Sequence, residues 1–343
     1  MAARKKTTRK RSTSKRKNSK KKTTVPAVRH LKYDIPIILA GGPNHYYFDL
    51  FHHLSLINRR MYRQGQLLYI KKITITSPSV KDGVVSASTA PLSWVTHGGH
   101  RAAFKLWMEM RRGHGGAPGS GLPQGVSPAT WADFKVYLSD AHRQALAAQL
   151  PLPVDLAGNA VSQVDSEWVY SRFVSPDGAP AGDDFVSHLL GGDVGAIGAY
   201  TSVGIIQGYE DSRRTVEEDT TGDAIDKDSW MVNLFDDGGT LDDIAEDLRD
   251  DGDLPPYDLT QYAGGAVNMT FPLIQQQKAI VQQGAGNATS GGTAPSVTLG
   301  NIVAPCGLLL LNIENNAEGS ADVFEVLIEV QEGPAKGVKA LPM

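Results

Sequence analysis

Two pairs of histidines are the side chains of this sequence whose spacing most resembles that of metal ligands. His97 and His100 flank two glycines, and His52 and His53 are adjacent. A zinc site requires three or four ligands at compatible spacing, but the chain has a single cysteine and no His-Glu-x-x-His pattern. Histidines beside glycines at the start of a helix more often have packing roles, so the sequence predicts no transition-metal site.

Short runs of carboxylates are the second candidate, since Ca²⁺ accepts oxygen ligands of this kind. Asp236 and Asp237 precede a glycine, and so do Asp250 and Asp251. None of these runs has the alternating acids and the terminal glutamate of an EF-hand loop. The runs therefore indicate either a solvated acidic surface or a Ca²⁺ site that bridges subunits, and no other cofactor is expected.

The sequence contains no motif for covalent catalysis or for nucleotide binding. The chain has no glycine-rich loop ending in Lys-Ser or Lys-Thr, no Gly-x-Gly-x-x-Gly after a strand and no Gly-x-Ser-x-Gly turn. Cys306 lies between Pro305 and Gly307, directly before an apolar strand, which predicts a buried and unreactive thiol. We therefore expect no enzymatic activity.

The distribution of charge is more informative about function, because basic and acidic residues are strongly segregated along the chain. The 343 residues carry 34 Lys and Arg against 37 Asp and Glu, a net charge of −3. Residues 1–24 hold 12 of the bases and no acid, which leaves 34 − 12 = 22 bases, 37 acids and a net charge of −15 for the body. Such asymmetry favours a polyanionic partner. The twelve bases are Arg4, Lys5, Lys6, Arg9, Lys10, Arg11, Lys15, Arg16, Lys17, Lys20, Lys21 and Lys22.

The basic arm, residues 1–24, contains no Leu, Ile, Phe, Trp or Tyr. Nothing in it offsets the entropy lost on ordering, so the arm is predicted to be disordered when free. Its cations can displace counterions from a nucleic-acid backbone without reading sequence, and it lacks aromatic side chains for base stacking. A nuclear-localisation signal is an alternative or additional role. A membrane-surface anchor is disfavoured, because no amphipathic apolar face accompanies the charge.

The acidic segment, residues 210–258, holds nearly all of the body's negative charge. It contains 18 acids and 4 bases, a net charge of −14. Trp230, Val232, Leu234 and Phe235 lie within it. These apolar side chains predict that the segment folds onto the body as an insertion between strands.

Strand-like alternation dominates the rest of the chain, most clearly in Gln66–Thr76 and Val323–Gln331. Helical patterns are few. The predicted strands are 33–40, 66–76, 84–89, 134–138, 168–174, 202–209, 267–274, 308–314 and 323–331. The predicted helices are 49–63 and 100–112, with short candidates at 143–149 and 241–250.

These elements predict an all-β fold, a single antiparallel jelly-roll β-sandwich with one or two short helices in loops between strands. We assign 25–32 to a linker, 33–333 to the jelly-roll domain with its acidic insertion, and 334–343 to a C-terminal tail. No run approaches 18 apolar residues and no apolar stretch follows the basic start. We therefore expect a soluble protein made inside the cell, with neither a membrane span nor a secretory signal.

Several blocks of sequence carry a family resemblance. They are LSLINRRMYRQGQLLYIKKITI (54–75), PLSWVTHGGHRAAFKLWMEM (91–110), ADFKVYLSD (132–140) and the stretch 202–238, which runs into PPYD (255–258). In this order they resemble the capsid proteins of circular, Rep-encoding single-stranded DNA (CRESS-DNA) viruses. The resemblance covers roughly residues 33–330, apart from the glycine-rich loops 113–125 and 284–292.

The resemblance implies a viral coat protein that assembles with itself into a closed icosahedral shell of roughly 60 subunits or a multiple. The basic arm would lie inside the shell and neutralise a circular single-stranded DNA genome. The protein would then reside in the virion and, during assembly, in the host nucleus.

Three arginines, Arg59, Arg60 and Arg63, stand in the first block, close before a strand. Facing the genome, they would extend the positive surface of the arm. Facing a neighbouring subunit, they could pair with the acidic segment. Simple surface charges are the third interpretation.

Two other functions are compatible with the composition. A nuclear β-sandwich binding module with a basic tail, such as a histone chaperone or a glycan-binding protein, would form a monomer or a small oligomer. A coat protein for an RNA genome is the second, since the arm cannot distinguish RNA from DNA. The sequence blocks favour the DNA-virus capsid over both.

Overall fold

A computed structural model describes ten stretches of the chain: 26–36, 43–76, 83–114, 133–161, 168–174, 184–196, 199–213, 277–279, 296–315 and 323–343. Antiparallel strands dominate these residues, and the predicted all-β sandwich is confirmed. The basic arm, residues 214–258 of the acidic segment, the strand predicted at 267–274 and the helix predicted at 241–250 lie outside the described residues.

The described elements are strands, four α-helices and a short 3-10 turn at Ala147–Gln149. The strands are β1 (His30–Pro36), β2 (Pro43–Asp49), β3 (Gln66–Thr76), β4 (Gly83–Ser88), β5 (Tyr137–Ser139), β6 (Arg172–Val174), β7 (Asp184–Leu190), β8 (Val194–Ala196), β9 (Ala199–Gly204), β10 (Gln277–Ala279), β11 (Ser296–Pro305), β12 (Leu308–Asn315), β13 (Val323–Val330), β14 (Glu332–Gly333), β15 (Gly337–Val338) and β16 (Ala340–Pro342). The helices are α1 (Leu50–Asn58), α2 (Trp94–His114), α3 (Asp140–Arg143) and α4 (Ile205–Asp211).

Two facing sheets have the topology of a jelly roll. The first sheet has the strand order β1-β13-β3-β11, and the second has the order β10-β4-β12-β2. Their pairing along the chain is nested: β1 pairs with β13, β2 with β12, β3 with β11 and β4 with β10, all antiparallel. Nested pairing of this kind is a long antiparallel hairpin that is rolled into two sheets, which is how a jelly roll buries one face of every strand.

The core between these sheets is built by side-chain alternation. In β13 the even-numbered residues from Phe324 to Val330 are buried and the odd-numbered ones point outward, as the sequence predicts. Residues of both sheets share one apolar cluster, which joins Leu31 and Ile73 of the first sheet with Phe48 and Leu311 of the second. The prediction of a single sandwich core is therefore met by these eight strands.

A β-bulge interrupts the alternation in β3. Leu68 and Ile70 face the core, Lys71 and Lys72 are both exposed, and Ile73 then returns to the core. The register with β13 shifts at this point, between Glu329 and Val330. An extra residue in one strand changes which side chains face inward, so two adjacent lysines can stay in solvent.

A tight turn between β11 and β12 fixes the position of α1. Its residues Cys306 and Gly307 have positive φ angles of 56° and 67°, as the central residues of a type I′ turn require. The Leu50 amide at the start of α1 donates to the Gly307 carbonyl at 2.9 Å. A Cβ atom on residue 307 would lie 2.5 Å from Cδ2 of Phe51, so the close approach of helix and turn needs glycine here.

A third layer, inserted between β4 and β10, covers the outer face of the second sheet. Its sheet has the order β5-β7-β9-β8, with β6 also paired to β7, and β7 lies parallel to both β5 and β9. Helices α2 and α4 pack beside it, and a second apolar cluster joins Tyr47 and Leu310 of the sandwich to Trp107, Phe134 and Ile206 of the insertion. The jelly roll thus carries a mixed α/β layer that the sequence prediction lacks, and α2, at 21 residues, is longer than predicted.

The structure moves several predicted boundaries, and three of these changes alter the type of an element or the domain to which residues were assigned. The strand predicted at 202–209 ends at Gly204, where α4 begins, because the apolar pair Ile205 and Ile206 is buried by a helical turn. β1 begins at His30, inside the predicted linker, since it pairs with β13 from Glu329 onward. The residues predicted as a tail after 333 instead join the body, where β16 pairs with β3.

Candidate nucleic-acid interface

The root of the basic arm is held at the C-terminal end of α1. Asn58 accepts a hydrogen bond from the Val28 amide at 2.7 Å and donates to the Val28 carbonyl at 3.0 Å. Arg60 donates to the Pro26 carbonyl at 3.0 Å. The arm therefore joins the body beside the segment that holds the three arginines singled out from the sequence.

The three arginines are all exposed in the loop between α1 and β3. Arg59 ends α1 in the left-handed conformation, with a φ of 50°, and this turns the chain away from the helix. Arg63 is 69% exposed and lies 3.9 Å from the carboxylate of Asp133. Of the three predicted residues, the structure places Arg60 in direct contact with the arm root.

Lys336 lies next to this loop, although sequence analysis did not single it out. It occupies the turn between β14 and β15, and its ammonium group donates to the Met61 carbonyl. Tyr62 donates from its hydroxyl to the Lys336 carbonyl at 3.0 Å, which fixes the turn against the loop. We call Arg59, Arg60, Arg63 and Lys336 the root cluster.

Three other basic residues of the body are paired with acids on the outer face or at the edge of the first sheet. Lys32 contacts Glu325 at 3.0 Å, and Lys71 contacts Glu329 at 2.7 Å. Arg29, at the edge of the same sheet, contacts Glu332 at 2.9 Å. These pairs cancel charge locally, so this face does not continue the positive surface of the arm.

A buried carboxylate, Asp49, holds the layers together beneath the loop. It is the last residue of β2 and caps α1, accepting from the His52 amide at 3.1 Å. Its side chain also accepts from the amide of Gln64 at 2.6 Å, the indole of Trp168 at 2.9 Å and the hydroxyl of Tyr170 at 3.3 Å. Burial raises the pKa of the Asp49 carboxyl to about 7, while these hydrogen bonds act in the opposite direction.

Gln64 extends this network into the inserted layer. Its carbonyl oxygen accepts from the Val136 amide at 2.7 Å. Close by, Lys135 lies over the Trp168 ring, with its nitrogen 4.7 Å from the ring centroid. Burial lowers the pKa of Lys135, and the carboxylates of Asp133 and Asp49 oppose the shift. The network fixes the loop that carries the arginines relative to both the sandwich and the insertion.

Replacing Asp49 with Asn is expected to lower the free energy of unfolding by about 3 kcal/mol at pH 5, where the carboxyl is protonated and its burial carries no charge penalty. The substitution turns one acceptor oxygen into a donor, so the buried donors of Gln64 and Trp168 lose their acceptor. Chemical denaturation with urea measures the change. Asp184→Asn is the matched control, because Asp184 is 44% exposed and forms a surface pair with Arg172. An Asp49 variant as stable as the control would contradict the assigned role.

The histidine pairs have packing roles rather than metal-binding geometry. His100 is buried in α2 against Phe134, with ring centroids 5.3 Å apart, and His97 is partly buried on the same helix. His52 stacks on Trp168, and Nδ1 of His53 lies 2.8 Å from the hydroxyl of Tyr33. Within the described stretches no group of three or more His, Cys, Asp or Glu side chains could hold a metal ion.

The calcium candidates Asp236, Asp237, Asp250 and Asp251 lie outside the described residues. Cys306 is buried as predicted and contacts the sulfur of Met343 at 3.5 Å, and burial raises the pKa of its thiol. No helix in the described part of the chain is long and apolar enough to cross a membrane.

Comparisons of the chain with protein-family models, curated proteins and solved structures find no match.

Proposed function

We propose that this chain is the coat protein of a CRESS-DNA virus, which assembles into a closed icosahedral shell and packages single-stranded DNA through its basic arm. The observation that carries the proposal is the position at which the arm joins the jelly roll. The arm carries only positive charges, and it joins the body next to the basic residues of the root cluster. The arm has 12 bases and no acid, and its root contacts Arg60 of the root cluster. The sequence blocks that resemble CRESS-DNA capsid proteins support the same function.

Charge arithmetic favours packaging rather than sequence-specific binding. About 60 subunits would bring about 720 arm charges, enough to neutralise a like number of phosphates at one charge each. Phosphate contacts carry no base information, so such an arm accepts any sequence. The body, at −15, repels nucleic acid, which favours an arm that gathers the genome on one side of the shell.

The jelly roll supplies an assembly unit of suitable construction. Its core is complete within one chain, since both sheets contribute to one buried apolar cluster. A subunit that folds by itself can form a symmetric shell through its surface loops. No catalytic role is part of the proposal, and the buried histidines and Cys306 serve the interior of the fold.

Light scattering during size-exclusion chromatography tests the proposal, with absorbance at 260 and 280 nm recorded on the same peak. The chain has a mass of 36.8 kDa, so a closed shell of about 60 copies has a mass of about 2.2 MDa. We expect a particle of this mass or a larger one, with excess absorbance at 260 nm. Digestion of the extracted nucleic acid by DNase and not by RNase is expected, and the reverse would identify an RNA coat protein. A monomer that ignores added single-stranded DNA would favour the nuclear binding module.

A further inference from the structure

We propose that the root cluster binds the phosphate backbone of a single nucleic-acid strand, so that the folded body continues the contact that the arm begins. The inference rests on the proposed function, since it names a second site for the same ligand. It concerns a fixed surface of the body, whereas the arm acts before its root at Pro26. The site needs only charge and position, because backbone contacts are independent of sequence.

Position is the first support. Arg60 touches the arm root at the Pro26 carbonyl, and Arg63 lies three residues further along the same loop. Lys336 reaches this loop from the turn between β14 and β15 and donates to the Met61 carbonyl. These cations therefore lie where the arm joins the body, within reach of a strand that the arm holds.

Charge is the second support, and it distinguishes the root cluster from the other cations of the body. The described hydrogen bonds of Arg60 and Lys336 go to main-chain carbonyls, which carry no net charge. The positive charges of Arg63 and Lys336 both lower the pKa of one carboxyl, that of Asp133, whose side chain is only 16% exposed. Arg63 lies 3.9 Å from the Asp133 carboxylate, whereas Lys32 and Lys71 lie 3.0 and 2.7 Å from glutamates.

Rigidity is the third support. Tyr62 is buried between the two parts of the cluster, where its amide donates to the Ser55 hydroxyl at 2.9 Å and its hydroxyl donates to the Lys336 carbonyl. The Lys336 nitrogen lies 5.9 Å from the centroid of the Tyr62 ring. A fixed backbone beneath exposed cations lowers the entropy lost when phosphates bind, compared with the arm.

The test measures binding of a fluorescent oligothymidine to the full-length protein at several salt concentrations. The variant R63Q/K336Q removes two cluster charges and keeps an N–H donor at each position. We expect its affinity to fall about tenfold and the slope of log affinity against log salt to shrink by about 1.4, at 0.7 per lost phosphate contact. The control K32Q/K71Q removes the same charge from the glutamate-paired face and is expected to change the slope little.

A charge-retaining variant separates binding from folding. R63K/K336R is expected to bind as the wild type does, and thermal melting of all variants shows whether the loop stays intact. If R63Q/K336Q binds like K32Q/K71Q while the wild type binds tightly, the inference is overturned and the proposed function stands. If the wild type shows no salt-dependent binding to the oligomer, both are overturned.

Discussion

Deletion of residues 1–24 is expected to abolish packaging of nucleic acid while closed shells still form. The deletion removes all 12 arm bases and leaves a body with a net charge of −15. Each arm cation that contacts a phosphate releases a condensed counterion, so the loss of many such contacts lowers the affinity by several orders of magnitude at physiological salt. The four cations of the root cluster are too few to replace them. The described body keeps its core, because the deletion ends before the first described residue, Pro26.

A shuffled arm provides the matched control. Its length and composition stay the same while the order of residues 1–24 changes, and binding without sequence readout predicts normal packaging. Electron microscopy counts shells, and the ratio of absorbance at 260 and 280 nm reports their nucleic-acid content. If shells of the deletion variant contain as much DNA as wild-type shells, the arm does not have the packaging role assigned to it. Loss of packaging in both variants would show that the order of the arm residues matters.

Sequence reasoning found the strands whose pattern is regular. β3, β12 and β13 were predicted to within one residue at each end, because dense apolar segments of this length have few alternative interpretations. β2, β7 and β11 were missed, since each mixes signals. β11 contains Gly300 and ends at Pro305, and β7 buries the polar pair Ser187 and His188. Such strands can be assigned only once their partners in the sheet are known.

The third layer was missed for a related reason. Parallel pairing of β7 with β5 and β9 is a long-range choice, and the short strands between residues 137 and 204 carry little local signal. The apolar faces of α2 and of the strand residues Phe173 and Phe185 fit a sandwich core equally well. The signal for a further layer lies on the outer face of β2 and β12. Tyr47 and Leu310 point away from the sandwich core there, so another layer must cover them.

The candidate interface could be predicted in part. Arg59, Arg60 and Arg63 were identified because all three lie within five residues of one sequence block. Lys336 was not, since it lies 275 positions from the Met61 carbonyl that it contacts. The Asp49 network was also out of reach, because its partner Trp168 is 119 positions away. A single acid after an aromatic strand gives no sequence signal that it will collect four donors.

Acidification from pH 7 to pH 5 is expected to lower the free energy of unfolding by about 3 kcal/mol, because buried histidines resist protonation. Burial lowers the pKa of His100 to about 4, of His142 to about 3 and of His188 to about 4, from an ordinary value of 6.5. The three lie on α2, α3 and β7, all in the inserted layer. Burial also lowers the pKa of His53 in α1, against the sandwich core, so acid is expected to weaken both the inserted layer and this helix.

The sign follows from which state binds protons. Below pH 6.5 the unfolded chain protonates these imidazoles and the folded protein does not, so stability is full above pH 6.5 and falls as the pH approaches the folded pKa values. At pH 5 each histidine contributes a loss of about 2 kcal/mol. Asp49 acts oppositely: its carboxyl has a pKa of about 7 in the folded protein against 3.8 ordinarily, so it stabilises the fold as the pH falls through this window. That gain of roughly 2 to 3 kcal/mol offsets part of the loss.

Urea unfolding at pH 8, 7, 6 and 5 measures this balance, and His100→Gln isolates one imidazole. His100 is buried, and Nε2 finds no hydrogen-bond partner among the described residues, so glutamine can replace it without breaking a described hydrogen bond of that nitrogen. The variant is expected to lose about 1.4 kcal/mol less per pH unit than the wild type between pH 6 and 5, which corresponds to one proton. His45→Gln, at an exposed position, is expected to keep the wild-type pH dependence. Stability that stays constant or rises between pH 7 and 5 would contradict this prediction, because it would mean that the Asp49 carboxyl outweighs the histidines.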